Sequence, residues 1–282
     1  MKTHKYWLLF LLLALLLPQS YAQDRMGALL RKPTPAATAR LSAVAQDMPF
    51  VVDELMRAPQ VVLPLPPANM RDELLNKLQQ TRNAPGVPLR IGTERVIEQT
   101  GSVERMRAMA PAVLQANSSY RIALKVRSPK AKAVRLALQF TDIDPRVSLR
   151  FVAADGQTQY GPTTHGAEIL ELLSKNMANK DASNNATTWW SPSVNGDALF
   201  VVLDFPDKLA VKETLFAITR ISHLEFTAKD LALMPYSSGT CNIDTVCESA
   251  YAYDAAAVAQ IRFQSDGYTY TCSGTLLNNA AE

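Results

Sequence analysis

Cysteine and histidine are scarce in this sequence, with three of each in 282 residues, and aromatic residues make up only 7%. The cysteines, Cys241, Cys247 and Cys272, crowd near the end. Cys241 and Cys247 stand too far apart for a CxxC knuckle and have no histidine beside them, so no metal site is expected. There is no P-loop, GxGxxG, HExxH or GxSxG motif, which removes the common phosphate-, dinucleotide-, zinc- and serine-elbow chemistries and leaves no cofactor to expect. Charge of one sign is also lacking. The formal net charge is +3 with Lys and Arg scattered, whereas a nucleic-acid partner would call for a clustered basic stripe. No repeat at solenoid spacing is present.

What is there begins with an address. Lys2 and Lys5 precede an unbroken apolar run from Trp7 to Leu17, which Pro18 and Gln19 end. Ser20-Tyr21-Ala22 then supplies the small-x-small pattern of a signal-peptidase site, so cleavage is expected after Ala22. The run is too short for an anchor, because a spanning helix needs ~20 apolar residues. A secreted or periplasmic protein follows, without membrane contact once the signal is removed. In that oxidising setting three cysteines leave at least one unpaired, unless a partner lies elsewhere.

Hydrophobic content of 48% allows a real core. Leu41 to Met56 could form an amphipathic stretch, Val61 to Pro67 reads as extended because of its three prolines, and Asp72 to Gln80 reads as a short helix. From about Ile91 the period becomes two. Tyr120, Ile122, Leu124 and Val126 alternate with polar residues, as do Val134, Leu136, Leu138 and Phe140, and then Val147, Leu149 and Phe151. Such alternation sets one side of each strand in a core and the other in water. Ala198 to Phe205 and Leu215 to Phe226 are further strands, and Ala167 to Met177 is a helix with Ile169, Leu172, Leu173 and Met177 on one stripe. Short strands between turns predict a mainly β chain with a β-sandwich-like domain and minor helices. The expected divisions are 1–22 signal peptide, 23–89 leader with short helices and a Pro-rich linker, 90–228 sandwich, 229–238 linker, and 239–282 a segment of different texture.

Catalytic candidates are few. His165 lies in a turn before a helix and His223 inside a strand, and neither has a nucleophile beside it in the sequence. Structural roles are expected for both. Asp142 with Asp144, and Glu168 with Glu171, have the spacing of paired carboxylates but read as a solvated turn and a solvated helix face. Asn195-Gly196-Asp197 reads as a turn between strands. Trp189-Trp190 could stack on a sugar, yet core or edge packing is the plainer reading.

The last segment carries a resemblance. Ser238-Gly239-Thr240-Cys241-Asn242-Ile243-Asp244-Thr245-Val246-Cys247 closely resembles the mature start of bacterial lysyl endopeptidases, which are trypsin-like serine proteases. Thr271-Cys272-Ser273-Gly274-Thr275-Leu276-Leu277-Asn278-Asn279 continues the match. The upstream WW-SP-x-V-x-GD segment and the RISHLEF strand are similar to the pro-region of these precursors. The resemblance implies a secreted serine endopeptidase precursor acting on proteins or peptides, with 90–228 as pro-domain and 239–282 as the truncated start of a trypsin-like double β-barrel. It also implies that Cys241, Cys247 and Cys272 pair with cysteines farther along, and that Ser273 belongs to an early strand and is not the nucleophile. No catalytic residue is assigned, because the His, Asp and Ser of the family mechanism have no matching positions in this sequence. The chain as given is expected to be inactive, and the first tail strands are expected to keep unpaired edges. The alternative is a non-enzymatic secreted β-sandwich that binds a partner or glycan.

Overall fold

The alternating runs become strands, and two sheets bury their apolar sides against each other. The computed structural model describes residues 52–67, 69–81, 87–180, 186–233 and 258–275. The signal segment with Ala22, and Cys241 and Cys247, lie outside the described residues. All described residues but Thr275 belong to one unit, Gln46–Gly274.

Among the described residues, one sheet contains β1 (Gln60–Val62), β3 (Val113–Leu114), β4 (Tyr120–Arg127), β6 (Ser148–Ala153), β7 (Thr164–His165) and β10 (Ala198–Phe205). Its order is β1-β4-β10-β6-β7, with β3 also on β4. The other contains β2 (Leu89–Val96), β5 (Ala133–Asp142), β8 (Thr188–Trp190), β9 (Val194–Asn195), β11 (Leu215–Leu224), β12 (Val258–Ser265) and β13 (Tyr268–Thr275). Its order is β12-β13-β2-β11-β5-β8, with β9 also on β5. The chain is therefore mainly β.

Leu124, Val126, Leu149, Phe151, Val201 and Leu203 of the first sheet share one core with Leu136, Leu138, Phe140, Phe216, Ile218 and Ile221 of the second. A shift of register between Ile218 and Arg220 explains how Ile218 and Ile221, three residues apart, both point inward: one extra residue in β11 resets the alternation. Gly196, at φ 97°, makes the expected turn into β10.

The polar side of the first sheet does not lie in water, contrary to the period-two reading. Helix α1 (Val52–Met56) covers it, and Leu55 packs with Val152, Phe200 and Val202. Strand β10 is thereby buried on both faces, which suits its run ALFVVLDF. Arg121 and Arg150 are only 4% and 2% exposed under this cover. Asp204 accepts from Arg121 Nε at 2.6 Å and also from Arg150, and Glu54 of α1 accepts from Arg121 Nη1 at 3.1 Å.

Helix α2 (Met70–Thr81) forms over the predicted span and buries Leu74. Helix α3 (Val103–Met109), absent from the sequence reading, starts at Ser102, whose side chain accepts from Arg105 N–H. Helix α4 (Gly166–Ala178) matches the predicted helix, but its buried pair is Ile169 and Leu173, while Leu172 and Met177 are exposed. Helix α5 (Lys208–Glu213) starts at Asp207, which accepts from Ala210 N–H at 2.8 Å, and α6 (Ala228–Leu233) follows β11. Among the described residues no helix is long and apolar enough to cross a membrane.

The expectation of unpaired edges fails for β13 and holds for β12, which ends the sheet order among the described residues. β13 lies between β12 and β2, so both of its edges are paired. Asp266 and Gly267, at φ 52° and 78°, join β12 to β13 in the two-residue turn that Asp-Gly favours.

Candidate functional site

Two polar constellations meet on β2 and β11. The first is sealed inside. Ser128 Oγ lies 2.8 Å from His223 Nδ1, and His223 Nε2 lies 3.2 Å from Glu225 Oε1. Sequence alone gave His223 no nucleophilic neighbour, because Ser128 is 95 residues away in the chain. Arg95 donates to Ser128 Oγ at 2.8 Å and to the Pro64 carbonyl at 2.5 Å. A serine hydroxyl that accepts from Arg95 can still donate to Nδ1, and Nε2–H then points at the Glu225 carboxylate. The residue types are those of a hydrolytic triad. Ser128 and His223, however, are wholly buried. No peptide can reach this serine, and the cluster acts as a polar brace joining the β4–β5 turn to β2 and β11. The structural reading of His223 stands on that burial.

The second constellation is the seam where β13 joins β2. The register pairs Tyr268 with Thr93, Thr269 with Gly92, Tyr270 with Arg90 and Thr271 with Leu89. Glu94 N–H donates to the Gly267 carbonyl at 2.8 Å. Ser222 and Thr269 hydroxyls meet at 2.5 Å across β2, and Arg90 lies over the Tyr268 ring at 3.3 Å. Gly92 pairs with Thr269 on one side and Leu224 on the other, and a Cβ there would sit 2.5 Å from the His223 carbonyl oxygen. β2 thus lies close against β11 only because residue 92 has no side chain.

Arginines gather on the outer face of this sheet. Arg135 and Arg220 stand 5.6 and 5.7 Å from the Trp190 ring. Arg262 of β12 donates to Ser193 Oγ at 2.5 Å, while Arg135 Nε donates to the Ser191 carbonyl at 2.9 Å. Two guanidiniums, one from β5 and one from β12, are therefore fixed on the same three-residue turn. Burial, with Arg262 close by, pulls the Arg135 pKa down to about 10. One buried carboxylate, Glu94, is bonded to Arg220 at 2.9 Å, and burial raises its pKa despite that partner.

The other predicted positions lie apart from one another. Asp144 is buried and bound to Arg146, not solvated as expected, and the Arg146 hydrogen bonds hold its pKa down. Arg146 also reaches Asp207 at 2.8 Å, an inter-element tie that spacing could not reveal. Glu168 accepts from His165 N–H at the start of α4, and exposed Glu171 pairs with Lys175. Trp189 stacks on Phe151 in the core while Trp190 faces the arginines, so the two rings make no common platform. Cys272 is an exposed free thiol of β13, and Ser273 follows it, exposed. Among the described residues no acidic, His or Cys cluster could hold a metal. A groove of ≈ 690 Å³ has Met106, Tyr120, Ile122, Leu209, Lys212 and Phe216 in its lining.

Comparison with known proteins adds sequence evidence to this geometry. The family model described as the lysyl endopeptidase N-terminal domain matches residues 63–225. The model described as the lysyl endopeptidase C-terminal domain matches residues 236–282. A lysyl endopeptidase of Pseudomonas aeruginosa is 33% identical over 159 residues, which is 52% of this chain and 30% of that protein. The chain thus spans under a third of the curated relative it matches. The two matched segments meet in space at the β2–β13 seam.

Proposed function

This chain belongs to the lysyl endopeptidase N-terminal domain family, and on that premise we propose that it is the leading part of an exported serine endopeptidase precursor. The observation that carries the reading is the order of the two matched segments, N-terminal domain then C-terminal domain, along one chain. The sandwich acts as a pro-domain that assists or restrains the segment after it, with processing near Ser237–Gly239. The signal peptide ends at Ala22 and delivers the precursor to an oxidising compartment, where Cys241, Cys247 and Cys272 find partners farther along. Substrates are proteins or peptides, and the relative's name makes lysine-containing peptides the first to test.

Residues 1–282 hold no His, Asp and Ser in the family's catalytic pattern, and the buried Ser128–His223–Glu225 cluster cannot substitute for one. The chain as given is proposed to be inactive. The test compares the purified 282-residue chain with the product of its gene read onward in all frames. Hydrolysis of a lysyl peptide by the extended product alone is expected. Hydrolysis by the 282-residue chain that persists after Ser273→Ala would overturn the assignment. Mature protein that does not begin at Gln23 would overturn the signal site.

A further inference from the structure

Among the described residues, four buried side-chain polar atoms lack a hydrogen-bond partner: Arg90 Nε, Thr93 Oγ1, Arg135 Nη1 and Gln264 Nε2. Native interiors satisfy nearly all such groups. These four are not scattered. Arg90 and Thr93 are register partners of β13, Gln264 belongs to β12, and Arg135 shares its turn with Arg262. Three of these atoms therefore lie on the strands of the seam and its hairpin, and the fourth, on β5, reaches the hairpin through the turn that Arg135 and Arg262 share. The main chain pairs at the seam, with the Glu94–Gly267 bond and one register shift between Thr269 and Tyr270, while the side chains are matched only in part. The free side of the hairpin tells the same story: Val258 and Ile261 of β12 are 58% and 47% exposed. Apolar residues left open on an added edge strand mark a piece whose finished surroundings lie elsewhere.

We infer that the β2 edge is an acceptor for a detachable strand, and that its partner is this chain's own β12–β13 hairpin. Recognition is by strand addition, in which main-chain bonds hold the partner and few side chains are matched. The edge holds this hairpin of the C-terminal segment in place and lets it go without unfolding the sandwich, whose shared core includes no residue of β12 or β13. The inference rests on reading 258–275 as part of the C-terminal family segment, and it deepens the pro-domain role proposed above.

Hydrogen exchange on the full chain tests it. Amides of 89–94 and 268–274 should open together and exchange at least ~tenfold faster than those of 198–205, since local opening costs less than global unfolding. Thr269→Pro removes a backbone donor opposite Gly92 and the hydroxyl that meets Ser222. It should strip protection from 89–94 and leave 198–205 unchanged. A reduced synthetic peptide of residues 258–275 should then restore protection to 89–94, and the same peptide with Thr269→Pro should not. Equal protection of seam and β10 in the wild-type chain would overturn the inference, as would loss of β10 protection in the variant. So would unchanged protection of 89–94 in the variant, or failure of the wild-type peptide to restore it. None of these readouts uses proteolysis, so an inactive extended gene product would sink the proposed function while leaving the acceptor edge standing.

Discussion

The outer face of the first sheet buries its arginines and that of the second half-buries them, and the two faces treat them in opposite ways. Under α1, Arg121 and Arg150 share Asp204, and Glu54 reaches in from the covering helix. On the second face, Arg135, Arg220 and Arg262 have one carboxylate between them among the described residues, Glu94, and Arg220 already engages it. A guanidinium taken from water needs both charge balance and hydrogen bonds. The first face supplies them and so behaves as core. The second supplies them in part, and that deficit is what a seam made to open requires. Position within a sheet is thus a poor guide to permanence, and satisfaction of the buried donors is a better one.

The sharpest way to break the comparison is at Asp204. Asp204→Asn removes the carboxylate that two buried guanidiniums share, and should cost about 3–5 kcal/mol of unfolding free energy. Denaturant melts would show it as a lowered midpoint at unchanged slope. A loss well under 1 kcal/mol, roughly the worth of a surface pair, would mean that the α1-covered cluster is no better satisfied than the seam.

Gly92→Ala comes next. The new Cβ would sit 2.5 Å from the His223 carbonyl oxygen and 2.7 Å from Leu224 Cδ2, so β2 must move off β11. A cost of about 1–3 kcal/mol is expected from this overpacking, together with loss of protection along β13. Full stability with an intact seam would show that the close approach at residue 92 is not what sets the position of β2.

Arg135→Leu should go the other way. It deletes an unpartnered Nη1 and a cation beside Arg262, at the loss of one bond to the Ser191 carbonyl. The variant should lie within about 1 kcal/mol of the parent, on the stable side, and its hairpin should open less often. A clear destabilisation would show that Arg135 is as well served where it stands as Arg121.

The strands were legible in the sequence because their period matches the physics of a half-buried sheet. Leu136, Leu138 and Phe140 alternate, and they do line the core. What escaped depends on contacts between distant segments. Nothing in VDELM says that Leu55 will cover Phe200, so Arg121 and Arg150 read as wet. The β11 bulge hides in an ordinary string of residues. Ser128 and His223 meet only after the sheets stack. One available signal went unused: Asp266-Gly267 between two strand-like runs marks a hairpin, and a hairpin needs an edge to lie on. Arginines spaced along apolar strands were another, because buried arginine calls for a partner.

Acid pH separates the two kinds of site by sign. Asp144 is held below the usual carboxylate range by its Arg146 hydrogen bonds, so the native state binds that proton less readily than the unfolded chain does. Its stabilisation is complete above an unfolded carboxylate pKa of about 4 and disappears as pH falls through the depressed native value. Glu94 is the reverse case. Burial raises its pKa against the pull of Arg220, so its charged form weighs on the native seam at neutral pH, and that weight lifts as pH falls through the raised value. As pH falls through that raised value, β2–β13 should therefore tighten before the sandwich begins to weaken. After correction for intrinsic exchange, the protection of 89–94 relative to 198–205 should rise over that fall in pH. Glu94→Gln should abolish the rise, and Asp144→Asn should leave it in place while flattening the acid limb of global stability. A flat ratio in the parent chain would mean that Glu94 is as well matched as Asp144, and the contrast between a satisfied sheet and an unsatisfied seam would then rest on the arginines alone.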